Sequence, residues 1–247
     1  MADIQAQVET WLTDNGQVLE LQVARDLLSC GLPVEQSVMY RDGVEGKTRE
    51  ADIVVDLSDP KTRTGSRTSP LIVTIECKHT TKGPWVGVMH ETAARRSEMQ
   101  PSAALALGDD ATMVSDLAFA TLQHPDPPCG GIYLAAGRGS DRNTAYDATR
   151  QALAAARAVG LARLNTGTDP DSLQDRLLGG VLALVVTTAP LFRARLAPGG
   201  ELALQQVDEL EVMTESLSGS HSVTVLTRAG LSQWASKLGQ HWAPARV

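Results

Sequence analysis

Leu71-Ile-Val-Thr-Ile-Glu-Cys-Lys78 is the stretch on which the reading of this chain turns. It is rich in β-branched residues, too short for an ordinary core helix, and bounded by Ser69-Pro70 on one side and Gly83-Pro84 on the other, so it reads as a buried strand. Side chains alternate along a strand. Leu71, Val73, Ile75 and Cys77 therefore share one face, and Ile72, Thr74, Glu76 and Lys78 the other. An acid and a base thus stand side by side at the end of an apolar strand. Burying a lone carboxylate there costs several kcal/mol unless a cation answers it. Lys78 can be that cation, as part of a structural ion pair or of a site.

Working back along the chain, residues 49–57 form a second strand around Ile53-Val54-Val55, with Asp52 just ahead of the apolar run. Residues 58–70 are a polar connection rich in Asp, Pro, Thr, Ser and Gly. An antiparallel hairpin of the two strands brings Asp52 near Glu76. Two carboxylates held a few Å apart repel each other and favour a divalent cation between them, and hard oxygen donors select Mg²⁺ or Mn²⁺. The backbone carbonyl of Cys77 is a natural third ligand. Further upstream, residues 34–40 read as a strand and 41–47 as a turn. Residues 3–13 place Ile4, Val8, Trp11 and Leu12 at helical spacing, and Asp14-Asn15-Gly16 breaks that pattern before a second helical run to Leu28, which Cys30-Gly31-Leu32-Pro33 ends. In the second run Gly16, Glu20, Val23, Ala24 and Leu27 follow one stripe. Glu20 is a boundary residue there unless the helix packs over Asp52 and Glu76, in which case it supplies a third acid.

Downstream, residues 86–122 are Ala-rich and read as mainly helical with a boundary at Pro101, residues 125–131 as a turn, and residues 132–136 as a short apolar piece. Residues 144–159 read as a long Ala-rich helix, followed by a loop through Asp171, a short helical piece, a buried strand at 181–187, a turn at 197–200, a strand at 222–226 and a closing helix at 231–238. No internal repeat occurs and no linker demands a second unit. The expectation is one α/β domain over residues 1–247, with the motif-bearing core at about 16–80.

Lys plus Arg number 22 against 29 for Asp plus Glu, a net charge of -7, which is the wrong sign for a protein that coats nucleic acid non-specifically. Local patches remain available at Lys61, Arg63 and Arg67 and at Arg95 and Arg96, with solvated surface charge as their plain alternative. Cys30, Cys77 and Cys129 lie far apart without a CxxC pair, and read as reduced thiols rather than a disulfide frame or a zinc knuckle. The N-terminus lacks a signal-peptide pattern and no long apolar run occurs, so a cytoplasmic protein with no membrane span is expected.

The order of a helix with Glu20, a strand beginning with Asp52 and a strand ending Glu76-Cys77-Lys78 resembles the PD-(D/E)xK (restriction-endonuclease-like) nuclease superfamily. Ala51 stands where the family name has proline. The resemblance implies a restriction-endonuclease-like core with a central mixed β-sheet flanked by helices, and Mg²⁺-dependent phosphodiester hydrolysis with Mn²⁺ able to substitute. It also implies Asp52, Glu76 and the Cys77 carbonyl as metal ligands, Lys78 as the charge that positions or activates water, and Glu20 as the helical acid near the metal. DNA is the implied substrate with RNA left open, in prokaryotic antiviral defence by family habit, with a homodimer or an activating protein partner. The alternative from another class is a non-catalytic nucleic-acid-binding or assembly module that keeps the fold, its Glu76 and Lys78 reduced to a salt bridge.

The remaining residues carry weaker readings. His79 reads as a surface histidine or a proton relay. Lys82 can reach a phosphate, and Trp85 can pack under the sheet or stack on a base. Tyr146 and Arg150, at i and i+4, read as ordinary helix surface or as facing a cleft. Gly137-Arg138-Gly139-Ser140 lacks the ending of a P-loop, and no GxSxG elbow occurs, so nucleotide-binding and α/β-hydrolase readings fall away.

Overall fold

The computed structural model describes residues 2–43, 45–57, 71–89, 128–135, 143–165, 180–216 and 219–242. Two helices open the chain, α1 (Ala2–Asp14) and α2 (Gln17–Ser29), and the break falls at Gly16, whose φ of 83° lets the backbone turn between them. Strands β1 (Val34–Arg41), β2 (Thr48–Asp56) and β3 (Leu71–Lys78) follow, then β4 (Trp85–Val88), β5 (Gly131–Leu134) and the long helix α3 (Thr144–Asn165). Strands β6 (Gly180–Thr187), β7 (Leu191–Leu196), β8 (Leu202–Val207), β9 (Glu209–Ser216) and β10 (Gly219–Thr227) lead to α4 (Arg228–Trp242). No helix among the described residues is long and apolar enough to cross a membrane.

The main sheet runs β1-β2-β3-β6-β10-β9 and is mixed: β2 is antiparallel to both β1 and β3, β3, β6 and β10 are parallel, and β9 is antiparallel at the far edge. The apolar strands take its centre, β6 being buried along its whole length. Leu71, Val73, Ile75 and Cys77 join Ile53 and Val55 in a core shared with Leu19, Val23 and Leu27 of α2 and Leu231, Trp234 and Leu238 of α4. On the opposite face Ile72, Val54, Val185 and Val225 pack against Ala145, Ala148, Ala152 and Val159 of α3. The protein is thus an α/β fold whose mixed central sheet is flanked by helices on both faces.

A second sheet, β5-β4-β7-β8, joins the α3 side of the core through Trp85, Ile132 and Leu191. It corrects the sequence reading. Residues 86–88 belong to strand β4, not a helix, and pair with β5 and β7. A side chain at Gly87 would meet Cys129 Sγ at 2.7 Å, so this strand lies too close to its neighbour for anything larger than glycine. The rest of the helical reading, residues 90–122, lies outside the described residues, as do Lys61, Arg63, Arg67, Arg95, Arg96 and Gly137-Arg138-Gly139-Ser140. Strands β7, β8 and β9 were not anticipated, although the turn at 197–200 between the first two was. Leu-Phe-Arg-Ala-Arg-Leu and Leu-Ala-Leu-Gln-Gln-Val are built from residues that favour helices in isolation, and cross-strand pairing overrides that preference.

The alanines of α3 let it lie close on β6. A Cβ at Gly160 would stand 2.5 Å from Val181 Cγ2 and 2.7 Å from its Cγ1. Gly160→Leu is therefore expected to lower the unfolding free energy by about 1–3 kcal/mol, read from urea denaturation, because the helix must lift from the sheet. An unchanged midpoint would show that α3 is not seated this tightly.

Candidate active site

The site begins with an irregularity in the β1–β2 hairpin. Gln36 faces Ile53 and Val38 faces Ala51, but the pairing between them, at Ser37 and Asp52, is skipped, and Ser37 has a left-handed φ of 57°. The strands change face at this point. Val34 packs toward the α2 side whereas Val38 and Tyr40 pack toward α3, although even spacing alone would put all three on one face. Likewise Ile53 lies on the α2 side and Ala51 on the α3 side.

Asp52 sits at this switch, and there β2 also leaves β3. Their antiparallel ladder runs from Asp56 opposite Ile72 to Ile53 opposite Ile75 and stops, while β3 continues beside β6 to Lys78 opposite Thr187. Across the gap the Asp52 carboxylate accepts a hydrogen bond from the Cys77 N–H at 2.6 Å, in place of the backbone bond the ladder would have made. Since the N–H and C=O of one strand residue point to the same edge, the Cys77 carbonyl opens toward the same gap.

Glu76 lies beside this gap, only 7% exposed, and forms an ion pair with Lys78 Nζ at 2.5 Å. The strand end beneath it is fixed, because the Lys78 carbonyl accepts bonds from Thr187 Oγ1 at 3.0 Å and from the Thr188 N–H at 3.2 Å. Helix α2 delivers Glu20 in its first turn. That turn reaches the strand end because Gly16 packs beside His79, where a Cβ would stand 3.5 Å from the histidine Cβ.

The charges of these groups act on one another. Burial pushes the Asp52 carboxyl up to about 7, and the Glu76 and Glu20 charges add to this while the Cys77 N–H and Lys78 oppose it. The half-buried Glu20 carboxyl is raised by burial, then by Glu50 and Glu76, against Lys78. The structure therefore brings Glu20, Asp52, Glu76 and Lys78 into one electrostatic neighbourhood. Two further members were not anticipated. Glu50, two residues before Asp52, is the strongest charge acting on Glu20. Tyr40, opposite Arg49 in the hairpin, is buried, and burial followed by the Glu76 charge pushes its hydroxyl up to about 12. The i, i+2 spacing to Asp52 is the one sequence signal that could have drawn attention to Glu50; nothing in sequence pointed to Tyr40.

Among the described residues no three acids, histidines or cysteines are gathered tightly enough to hold a metal ion as they stand. Asp52 is turned to the Cys77 N–H and Glu76 to Lys78. Their chemistry nevertheless suits a hard divalent cation, since desolvated carboxylates with raised proton affinity are relieved by one. The neighbouring residues have plainer roles. His79 Nδ1 is 3.3 Å from Thr188 Oγ1 on a half-exposed ring, Lys82 is exposed, and Tyr146 and Arg150 lie on the exposed face of α3. Trp85 is wholly buried, which leaves packing and removes base stacking. Comparison with known protein families, curated proteins and solved structures finds no match for this chain.

The Asp52 carboxyl makes stability depend on pH in an unusual direction. Its folded pKa of about 7 exceeds its ordinary 3.8, so between those values the folded chain holds a proton that the unfolded chain has released. Stability from this group is full below the lower value, falls as pH rises between the two, and stays lost above the upper one. Asp52→Asn, which cannot ionise and can still accept from Cys77, is expected to exceed the wild type in EDTA by on the order of 1–3 kcal/mol at pH 8 and by little at pH 4. Denaturant melts at both pH values test this; equal stability at pH 8 would mean the carboxylate is already compensated.

Proposed function

We propose that this chain is a metal-dependent nuclease that hydrolyses phosphodiester bonds, most naturally a DNA endonuclease, built on a restriction-endonuclease-like core. The observation that carries the reading is Asp52 at the parting of β2 and β3, facing Glu76, Cys77 and Lys78 of the central strand, with Glu20 entering from α2.

Asp52, Glu76 and the Cys77 carbonyl are the groups that would hold Mg²⁺ or Mn²⁺. When bound, such an ion supplies charge to the phosphoryl oxygens and lowers the pKa of a bound water. Lys78, one-third exposed, is the mobile cation of the set. Released from Glu76, its ammonium can donate hydrogen bonds to a phosphate oxygen or orient the attacking water. Glu20, its proton affinity raised, can accept a hydrogen bond from that water. Buried Tyr40, and Ile75 and Cys77 on either side of Glu76, limit competing solvent at the carboxylates.

A second reading draws on the Glu76–Lys78 ion pair, which by itself satisfies the buried carboxylate of a non-catalytic binding or assembly module. Plasmid DNA, single-stranded DNA and RNA incubated with Mg²⁺, Mn²⁺ or EDTA separate the two. The nuclease reading expects metal-dependent cutting that drops by about 10²-fold or more in both Asp52→Ala and Lys78→Ala. The structural reading expects no cutting by folded wild type on any substrate, together with a loss of about 3–5 kcal/mol of stability in Lys78→Ala from the uncompensated Glu76.

A further inference from the structure

Two arms of chain leave the candidate site, and each carries an exposed cation that no acid claims. On one side β2 parts from β3 at Asp52, and the β1–β2 hairpin runs on by itself from Val38 opposite Ala51 to Arg41 opposite Thr48. On the other side residues 79–84, His-Thr-Thr-Lys-Gly-Pro, carry the chain from Lys78 toward β4 and contain no carboxylate. This second arm is pinned. Thr188 Oγ1 accepts from the Thr80 N–H at 3.0 Å, Thr80 Oγ1 accepts from the Lys82 N–H at 3.1 Å, and a side chain at Gly83 would meet the Ala135 carbonyl at 3.0 Å. The Lys82 backbone is therefore held against the ends of β6 and β5, four residues beyond Lys78.

In the hairpin, Val38 and Tyr40 pack toward α3, so Arg41 belongs to the opposite face with Met39, whose partner across the hairpin is Glu50. The acids nearest to it in sequence, Asp42 and Glu45, are engaged by Arg49 and Lys47. Lys82 and Arg41 are both exposed, and neither makes an ion pair among the described residues. They differ in this from Arg49, Arg163 and Arg228, which carboxylates hold. A nucleic-acid strand brings a negative charge with every nucleotide, and the floor of the gap, with Glu20, Asp52 and Glu76, offers nothing to the phosphates that flank the one being cut.

We infer that Lys82 and Arg41 are the substrate grips of this site, each binding a backbone phosphate on one side of the bond that is cut. The inference rests on the nuclease reading and adds to it the path of the substrate, a strand laid from the 79–84 loop to the β1–β2 hairpin with Asp52 and Glu76 between them. Ammonium and guanidinium groups on phosphates position a strand and carry no base information, so the grip is indifferent to sequence. Both are positioning residues; the scissile phosphate belongs to Lys78.

Fluorescence anisotropy of labelled oligonucleotides, single-stranded and duplex and each in two unrelated sequences, tests the contacts apart from cutting when it is done in Ca²⁺, which oxygen ligands also accept, with a gel to confirm that the oligonucleotide stays intact. Lys82→Ala and Arg41→Ala are each expected to weaken binding about four- to sixfold near 0.15 M salt, equally for both sequences, and to lower the slope of log affinity against log salt by roughly 0.7–0.9, the share of one phosphate contact. Lys237→Ala is the control. That lysine is also exposed and makes no ion pair among the described residues, but it lies on α4 beside Gly239, which packs on Cys30 at the end of α2 remote from Glu20, and its loss should change neither quantity. In Mg²⁺ the loss in Lys82→Ala and Arg41→Ala is expected to fall on KM more than on kcat. Wild-type binding that either variant leaves unchanged, or that Lys237→Ala weakens as much, overturns the inference, and the nuclease reading then stands wherever the wild type cuts. A wild type that neither binds nor cuts overturns both, whereas one that binds, loses affinity in the two variants and never cuts supports the two contacts and overturns the nuclease reading alone.

Discussion

Much at the centre of this molecule accommodates one carboxylate, that of Glu76, placed on a strand of the main sheet that is buried from Leu71 to Cys77. Ile75 and Cys77 on either side of it are apolar and the strand around it is buried, so water cannot solvate it from along the strand. The ion pair with Lys78 answers the charge locally, and Lys78 can reach it because the two residues share a face. That pairing requires β3 to end where it does, with the lysine carbonyl tied to Thr187 and Thr188 and its ammonium left at the rim. Hydrophobic packing builds the sheet; the charged end of β3 determines where its strands separate.

The separation has its own cause. A regular β1–β2–β3 ladder would have carried Asp52 onto a packed face of the sheet, where a second buried carboxylate beside Glu76 would meet strong repulsion. The left-handed Ser37 and the skipped pair at Asp52 turn the side chain toward the edge of β3, where the Cys77 N–H receives it. Strain at one serine thus places a charge in a gap rather than in a core, and irregular backbone of this kind persists only where the surrounding structure holds it. The acid stays costly even so, as the upward shift of its carboxyl shows.

Much of this was legible in sequence because the period of two is strict in β3. Leu71 to Lys78 placed Glu76 and Lys78 on one face, the hairpin brought Asp52 to them, and the stripe of α2 put Glu20 at a boundary. The face change at Ser37 was not legible, since a left-handed serine leaves no compositional mark, and with it went any sign of Tyr40. The small sheet was missed for a different reason. Its strands are short and alanine-, arginine- and glutamine-bearing, and their stability comes from partners remote in sequence, such as β4 with β7. Single-chain patterns reveal strands that carry their own burial signal and conceal those that borrow it.

Three arginines add a last constraint on the proposed reading. Arg163 at the end of α3 binds Glu35 and Asp56, Arg228 at the start of α4 binds Asp26, and Arg49 binds Asp42 and Glu45. These guanidinium groups fasten helices and hairpins to the sheet, and a phosphate would have to displace a carboxylate to reach them. Around Asp52 the charges of Glu76 and Glu20 are opposed by Lys78 of β3, and Glu20 itself feels Glu50 and Glu76. A phosphodiester approaching that gap meets net negative charge, and a divalent cation reverses the sign more effectively than a lysine can. On the proposed reading, the local excess of acid at this gap is what a divalent cation would answer.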